Sequence, residues 1–338
     1  MTDSYFAIMP DEQRAILRYG ADRLGRSEHV LEKDIWVCWV LKTLFSLPDS
    51  PLMAFKGGTS LSKVFDVINR FSEDIDITLD YRYLLNGIDP LSEGAEGYSK
   101  NKLRKLSEQL KQYVHQYAND IIVPHIQSEL NDLPLSESYS IRIDASGEKI
   151  WVSYPSVTEE FDEYLKSEVL IELGGRNIID PNELHIIRPY LSDLIPELEF
   201  PSGQVVVLSP ERTFWEKVTL VHVECRRGLR ENADRLSRHW YDLVMLARHE
   251  IGHSAIADRK LLEDVIRHKS AFFNASYAGY EECLSGRLSL LPSNAVLSAL
   301  KADYHSMISA EMIYGVVPSF YELMEAIKQL QYRINAGA

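Results

Sequence analysis

The segment from Phe55 to Leu79, FKGGTSLSKVFDVINRFSEDIDITL, limits the folds open to this chain more than any other stretch. Its glycine pair, Gly57 and Gly58, lets the backbone turn tightly and approach a ligand closely. The hydroxyls that follow, at Thr59 and Ser60, are expected to cap a helix and to leave N–H groups at its positive end. The segment therefore predicts a tight turn that opens a helix.

The same segment predicts a helix of about a dozen residues with one buried face and then a strand with two acids. The apolar residues of the helix recur at threes and fours: Leu61, Val64, Phe65 and Ile68. On the strand, Asp74 and Asp76 should share one face and the intervening isoleucines the other, because alternate strand residues point the same way. Two carboxylates near a helix N-terminus are typical of a divalent-metal site for phosphoryl or nucleotidyl transfer. A lone pair of acids would fit a solvated hairpin edge equally well, but the order of glycine turn, helix and acids favours the metal site.

Composition sets the broad class of the protein. With 45% hydrophobic and 25% charged residues, the 338-residue chain resembles an ordinary globular protein of one large or two smaller domains. It contains no apolar run long enough to span a bilayer and no signal-peptide pattern, so we expect a cytoplasmic protein without membrane attachment. The scattered cysteines are expected to be reduced core thiols: Cys38, Cys225 and Cys283.

Charge is unevenly distributed along the chain. The net charge of −14 argues against broad, sequence-independent binding to nucleic acid, which needs clustered Lys and Arg. A local arginine cluster nevertheless follows Lys217 and is predicted to bind polyphosphate or RNA: Arg226, Arg227, Arg230, Arg235 and Arg238. The alternative is a salt-bridged pair of helices, since acids lie among these arginines: Glu224, Glu231 and Asp234.

Hydrophobic periodicity predicts an α+β protein with a mixed β-sheet core, N-terminal helices and a helical C-terminal part. Helices are expected at 10–25, 28–46 and 99–131. Further strands are expected at 138–145, 149–154, 167–173, 184–191 and 204–208, and C-terminal helices at 210–227, 235–250, 258–270, 293–310 and 318–335. These elements suggest N-terminal helices at 1–50, a core at 51–208 and a helical domain at 209–338.

Further charged residues are candidates for the site. Glu172 lies between aliphatic residues on a predicted strand and would be the third carboxylate of a two-metal site, unless it is an ordinary outward-facing residue. Lys217 lies off the apolar stripe of its helix and is expected to neutralise triphosphate charge. Asp242 could orient Lys217 or Arg238 through a hydrogen bond, although these are also ordinary helix charges. For the EKD sequence at 32–34, we favour a structural ion pair over a direct role in the site.

The whole pattern resembles the AbiEii/AbiGii-type nucleotidyltransferase toxins of bacterial toxin–antitoxin and abortive-infection systems. Besides the Glu172 strand, the resemblance is carried by EKD (32–34), FKGGTSL (55–61), RFSEDID (70–76), SPERTFWEK (209–217), RHWYDL (238–243), HKSAFF (268–273), DYHSM (303–307) and PSFYELMEAI (318–327).

This resemblance implies a DNA polymerase β-like core that uses magnesium, or manganese in its place, and a nucleoside triphosphate. It implies metal ligation by Asp74 and Asp76, and later catalytic motifs at Lys217 and Asp242. Nucleotide contacts are expected over Lys56, Gly57, Gly58, Thr59 and Ser60. The superfamily's commonest signature places serine directly after glycine, whereas Thr59 follows Gly58 here, so either Thr59 or Ser60 would contact phosphate.

The function expected from sequence is transfer of a nucleoside monophosphate to an acceptor hydroxyl on tRNA, with a cognate antitoxin as partner and phage defence as a role of such systems. The acceptor would bind at Arg226, Arg227, Arg230 and Arg238. Two alternatives stay open: modification of a protein by nucleotide or phosphate, and a catalytically silent nucleotide-binding protein. The intact pair of aspartates favours an enzyme, and the acidic net charge favours a protein acceptor. The nucleotide used and the oligomeric state do not follow from the sequence.

Overall fold

The computed structural model describes residues 3–48, 52–92, 98–134, 139–158, 166–228 and 235–337. Within these residues the chain forms two compact units that alternate along the sequence. The first comprises 1–64, 73–88 and 108–207, and the second comprises 65–72, 89–107 and 208–338. The three-part division suggested by the sequence stays a prediction.

The first unit is built on a mixed β-sheet, as the hydrophobic pattern predicted. Its strands and two short additional ones are β1 Asp3–Ser4, β2 Met53–Lys56, β3 Ile75–Asp80, β4 Ser140–Ile143, β5 Lys149–Ser153, β6 Glu168–Asn177, β7 Asn182–Ile187, β8 Leu198–Glu199 and β9 Gly203–Leu208. The described part of the sheet has seven strands in the order β4-β5-β6-β3-β2-β9-β7, and β1 pairs separately with β8. The two central pairings differ: β3 runs antiparallel to β2 and parallel to β6.

Helices account for most of the remaining chain. They are α1 Pro10–Leu24, α2 Glu28–Phe45, α3 Gly57–Lys63, α4 Tyr81–Leu84, α5 Lys100–Tyr117, α6 Val123–Asn131, α7 Pro210–Arg227, α8 Ser237–Arg248, α9 Glu250–Ala257, α10 Arg259–Phe272, α11 Asn294–Ser309 and α12 Phe320–Ala336. A π-helical turn at Ala118–Ile122 joins α5 to α6, and 3-10 turns lie at Tyr5–Ala7, Tyr190–Asp193 and Tyr280–Cys283. None of the helices in the described ranges is long and apolar enough to cross a membrane.

Helix α2 forms the centre of the first unit. The hydroxyl of Ser27 accepts a hydrogen bond from the amide of Val30 and caps the helix start. Nearly every residue from His29 to Leu44 is buried, because the apolar block of this helix contacts β6, β7 and α6. The helix is therefore enclosed on most sides, and its few charged residues need partners inside the protein.

The second unit is helical, as predicted from Pro210 onward. Its central helix is α8, which contacts α7, α9, α11 and α12. Two fully buried tryptophans anchor the packing: the indole of Trp215 donates to the carbonyl of Ala255, and that of Trp240 donates to the carbonyl of Leu290, each at 2.9 Å. Both large apolar side chains thus satisfy their only polar atom.

Two expectations about helix bounds were wrong. The predicted helix at 235–250 ends at Arg248, because His249 is extended and starts the separate helix α9. The predicted dozen-residue helix after the glycine turn ends at Lys63, so Val64, Phe65 and Ile68 lie outside it. The chain leaves the helical conformation here, because the segment 65–72 belongs to the second unit and makes hydrogen bonds within it. There the amide of Phe71 donates to the carbonyl of Met312 at 2.7 Å.

Candidate functional site

The glycine turn lies directly against the second aspartate of the DID sequence. Strand β2 ends at Lys56 and α3 begins at Gly57, whose φ of +83° suits glycine. A Cβ atom built on Gly57 would lie 2.0 Å from the Oδ2 atom of Asp76, a distance that no real side chain tolerates. Backbone conformation and space therefore both require glycine at this position.

The two hydroxyls after the glycines tie the turn together. The hydroxyl of Thr59 donates to the backbone carbonyl of Asp74 at 2.5 Å, and that of Ser60 donates to the carbonyl of Gly57 at 3.0 Å. Both residues are buried within the first turns of α3, and neither caps it, so the expectation of a capping role was wrong. The Thr59 hydroxyl instead ties the start of α3 to the acidic segment at Asp74, and the Ser60 hydroxyl bonds within the turn itself.

The alternation predicted for the acidic strand is confirmed. Ile75 and Ile77 are buried, whereas Asp74 and Asp76 are half-exposed, so both carboxylates belong to the accessible face of the sheet. Asp76 lies on β3, and Asp74 is two residues earlier, just before the strand begins.

A row of charged residues crosses this part of the sheet, with two acids flanked by two lysines. The register aligns four residues on neighbouring strands: Lys56, Asp76, Glu172 and Lys149. Residues in register share a face, so Glu172 lies beside Asp76, as a third carboxylate would require. Glu172 also has a partner that the sequence reasoning missed, because the Nζ atom of Lys149 lies 2.6 Å from its Oε1 atom.

The neighbouring acids shift the pKa of Lys149. The hydrogen bond to Glu172 raises the pKa of the Lys149 ammonium above its usual value, partial burial opposes the rise, and the charges of Glu172, Asp74 and Asp144 add to it. Lys149 therefore keeps its positive charge, which interacts with the negative charges of Glu172 and Asp74. Its only signal in the sequence was its place at the start of a strand.

Two residues of the EKD sequence on α2 form buried ion pairs, as favoured from the sequence. Lys33 pairs with Glu73, the neighbour of Asp74, and donates to the carbonyl of Lys166 at 2.9 Å. Asp34 pairs with Lys63, the last residue of α3, at 2.5 Å. The α2 helix thus holds the residue before the first aspartate and the end of the glycine-turn helix.

The remaining EKD residue, Glu32, is hydrogen-bonded to the chain around Ser156. Its carboxylate accepts from the Ser156 hydroxyl at 2.5 Å and from the Val157 amide at 2.6 Å. Burial raises the pKa of Glu32 to about 7, although the bonds from Ser156, Val157 and Thr158 act in the opposite direction.

A second charged cluster is buried within the helical unit. Lys217 on α7 lies 2.9 Å from Asp242 on α8, and it is one of the two partners that the sequence suggested for this carboxylate. Arg70 holds the same carboxylate with two parallel bonds of 2.7 and 2.8 Å. Burial opposes ionisation of Asp242, but Arg70 and Lys217 outweigh it and hold the pKa of this carboxyl well below its usual range. Arg70 was not identified from the sequence, because spacing alone does not relate it to residue 242.

The arginine cluster is partly engaged by other residues. Arg226 pairs with Glu282 at 2.5 Å and donates to the carbonyl of Tyr277 at 2.9 Å, and the guanidinium of Arg227 lies 5.5 Å from the Tyr277 ring centre. Arg238 lies on α8, half-exposed, and Arg230 falls outside the described residues. The structure therefore brings Arg226 and Arg227 to one place beside Tyr277.

The donors near the glycine turn suit a hard cation such as Mg²⁺, which prefers oxygen ligands and needs only one or two protein carboxylates when phosphates supply the rest. Asp74 and Asp76 meet that requirement. Within the described ranges, no group of three His, Cys, Asp or Glu side chains is close enough to hold a metal by itself.

Comparison with known proteins identifies the family. The model of the family described as "Nucleotidyl transferase AbiEii toxin, Type IV TA system" matches residues 39–326. Among solved structures, MenT4, a nucleotidyltransferase toxin from Mycobacterium tuberculosis H37Rv, is similar over 96% of this chain and 94% of its own, with 16% identity and a TM-score of 0.47. No curated protein matches significantly. The chain belongs to the AbiEii family and is a nucleotidyltransferase toxin of a type IV toxin–antitoxin system.

Proposed function

We propose that this toxin transfers a nucleoside monophosphate from a nucleoside triphosphate to a hydroxyl of tRNA. The acceptor oxygen bonds to the α-phosphorus, the bond from that phosphorus to the β-phosphate oxygen breaks, and the hydroxyl proton and pyrophosphate leave. The observation that carries the proposal is the fit of Gly57 against the carboxylate of Asp76. It brings a backbone turn suited to phosphate and an acid suited to metal into direct contact.

Asp74 and Asp76 are the proposed ligands of two Mg²⁺ ions, with Mn²⁺ as a substitute, and Glu172 is the proposed third carboxylate. When bound, such ions polarise phosphoryl oxygens and stabilise the charge on attacking and leaving oxygens. The support from this chain is the register of Glu172 with Asp76 and the shared exposed face of the two aspartates.

The triphosphate is proposed to bind along Lys56–Ser60. The N-terminal end of α3 carries the positive end of the helix dipole, which favours phosphate oxygens. Gly58 allows close approach, and Lys56 supplies positive charge in register with Asp76. The Thr59 and Ser60 hydroxyls donate to backbone carbonyls. These two residues would therefore contact phosphate through their backbone amides, or through their hydroxyls after those hydrogen bonds break.

Lys217 is proposed to steady the triphosphate charge, with Asp242 as the residue that positions it. The support lies inside the helical unit: Lys217 is buried and is held at 2.9 Å by a carboxylate that Arg70 fixes in turn. A lysine held in this way loses little additional freedom on meeting an anion.

The acceptor is proposed to be tRNA bound by Arg226, Arg227, Arg230 and Arg238. A protein acceptor is the second candidate, because the net charge of −14 disfavours polyanions as partners. A cognate antitoxin is the proposed regulator, as the type IV family implies.

The test is incubation of the purified protein with Mg²⁺, each labelled nucleoside triphosphate in turn and total tRNA. Wild type and Asp76→Asn run side by side, and RNA and protein fractions are counted separately. Label on RNA that disappears in Asp76→Asn supports the proposal and identifies the nucleotide. Label on protein supports the second candidate, and label retained in Asp76→Asn contradicts the assigned site.

A further inference from the structure

Lys149 lies at one end of the row of charged residues that crosses the sheet. It begins β5 and stands in register with Glu172, which stands in register with Asp76. Its ammonium lies 2.6 Å from the Glu172 carboxylate, and the side chains are 46% and 34% exposed. The pair is therefore open to a ligand.

The backbone of Lys149 is fixed by an ordered turn. The Lys149 amide donates to the Asp144 carboxylate at 3.1 Å, and the Lys149 carbonyl accepts from the Asp144 amide at 3.0 Å. Gly147 closes the turn with a φ of +74°, and a Cβ there would lie 2.6 Å from the Cα of His115. The turn has little freedom, so the base of the lysine is held in place.

The charges around Lys149 suggest that it could neutralise part of the negative charge of a bound triphosphate. Asp76 and Glu172 are neighbours in register, Asp74 lies two residues before Asp76, and a triphosphate would add further negative charge. The cations in register with Asp76 and Glu172 are Lys56 on one side and Lys149 on the other. An ammonium has three N–H donors, so Lys149 can bond a phosphate oxygen while one donor stays on Glu172.

We propose that Lys149 is a triphosphate-binding residue and that Glu172 positions its ammonium for that contact. The inference rests on the proposed transfer site at Asp74 and Asp76 and adds a cation from a different strand. The competing explanation is an ordinary cross-strand ion pair, which would contribute only a small amount to stability.

Binding of inorganic tripolyphosphate, measured by titration calorimetry with and without Mg²⁺, tests the inference independently of turnover. Lys149→Met should weaken binding by about tenfold or more, since a hydrogen bond between charged groups is lost. Lys149→Arg should retain most of the affinity, because it keeps the charge.

Lys111→Met is the matched control. Lys111 also belongs to an ion pair, with Glu108 at 3.0 Å, and its side chain is 39% exposed. Unchanged binding in Lys111→Met is expected, and equal weakening in both methionine variants would overturn the inference. Thermal melting of each variant establishes that the fold is kept.

A double-mutant cycle tests the role of Glu172. If Glu172 acts by positioning Lys149, Glu172→Gln should weaken Mg²⁺-free tripolyphosphate binding in the wild-type background and leave it unchanged in the Lys149→Met background. Equal effects in both backgrounds would overturn the positioning role.

The inference and the proposed function can fail separately. Tripolyphosphate bound equally by wild type and Lys149→Met overturns the inference and leaves the site at Asp74 and Asp76 standing. A wild-type protein that binds no tripolyphosphate, with or without Mg²⁺, overturns both.

Discussion

At the scale of single residues, the site depends on positions where one residue type is required. Gly57 combines a left-handed backbone with direct contact to Asp76. The sequence indicated this glycine, because a glycine pair before a helix and two acids is an uncommon order. It did not indicate Lys149 or Arg70, since their importance comes from contacts with residues distant in the chain.

Replacing Gly57 with alanine should abolish transfer and destabilise the protein. The cause is twofold, since the left-handed conformation costs about 1–2 kcal/mol and the new Cβ would displace the Asp76 carboxylate. Chemical denaturation and the labelled-nucleotide assay measure the two effects.

Gly87→Ala is the control for this prediction, because Gly87 has the same φ of +83° and a Cβ atom added there would meet no atom within 4 Å. It should show the cost in stability and keep its activity. Equal activity in both variants would show that contact with Asp76 has no role.

At the scale of elements, the hydrophobic pattern predicted the sheet and most helices because each element buries one regular face. It failed for α3, where Leu61 is buried in the helix while Ile68, further along the same predicted stripe, is buried in the segment assigned to the second unit. It also missed β2 as a strand, since four residues carry too little periodicity. Local pattern cannot reveal a segment that leaves its element for a tertiary partner.

The ion pair between Lys33 on α2 and Glu73, the residue before Asp74, gives a second prediction. Lys33→Met removes the positive charge that pairs with the buried Glu73 and should cost about 3–5 kcal/mol of unfolding free energy. The double variant Lys33→Met with Glu73→Met should recover most of that stability, because buried ion pairs contribute little over apolar replacements.

Measuring activity distinguishes a positioning role of the Lys33–Glu73 pair from a purely structural one. We expect the double variant to stay folded yet transfer nucleotide more slowly, since Asp74 loses the fixed neighbour that precedes it. Wild-type activity in a folded double variant would contradict a positioning role. Lys111→Met, which breaks an exposed pair, should change stability by about 1 kcal/mol or less.

At the scale of the whole molecule, buried charged groups link folding to pH. The pKa of Glu32 is about 7 in the folded protein, against an ordinary value of 4.5. The Glu32 carboxyl therefore binds its proton more tightly in the folded state than in the unfolded state. The contribution of Glu32 is therefore fully present below pH 4.5 and is lost as pH rises towards 7.

The corresponding experiment compares wild type with Glu32→Gln, which does not titrate at this position. The difference in unfolding free energy should shift against wild type by about 3 kcal/mol as pH rises from about 4.5 to about 7. Denaturation curves at each pH provide the measurement, and parallel profiles for the two proteins would contradict the assignment.

The whole-molecule charge also bears on the proposed binding of tRNA. With a net charge of −14, only a local group of cations can contact phosphates, so the salt dependence of tRNA binding should be shallow. Contacts from about four arginines predict a slope of about −3 in a plot of log affinity against log salt concentration.

Arg227→Ala should reduce the magnitude of that slope by about 1, because it removes one phosphate contact from the cluster. Arg18→Ala serves as the control, since Arg18 is also exposed but pairs with Glu28 in the first unit. Anisotropy of labelled tRNA, measured with Asp76→Asn so that no transfer occurs, gives each slope. If both arginine variants keep the wild-type slope, the cluster is a structural feature, and a protein acceptor becomes the better explanation of the acidic surface.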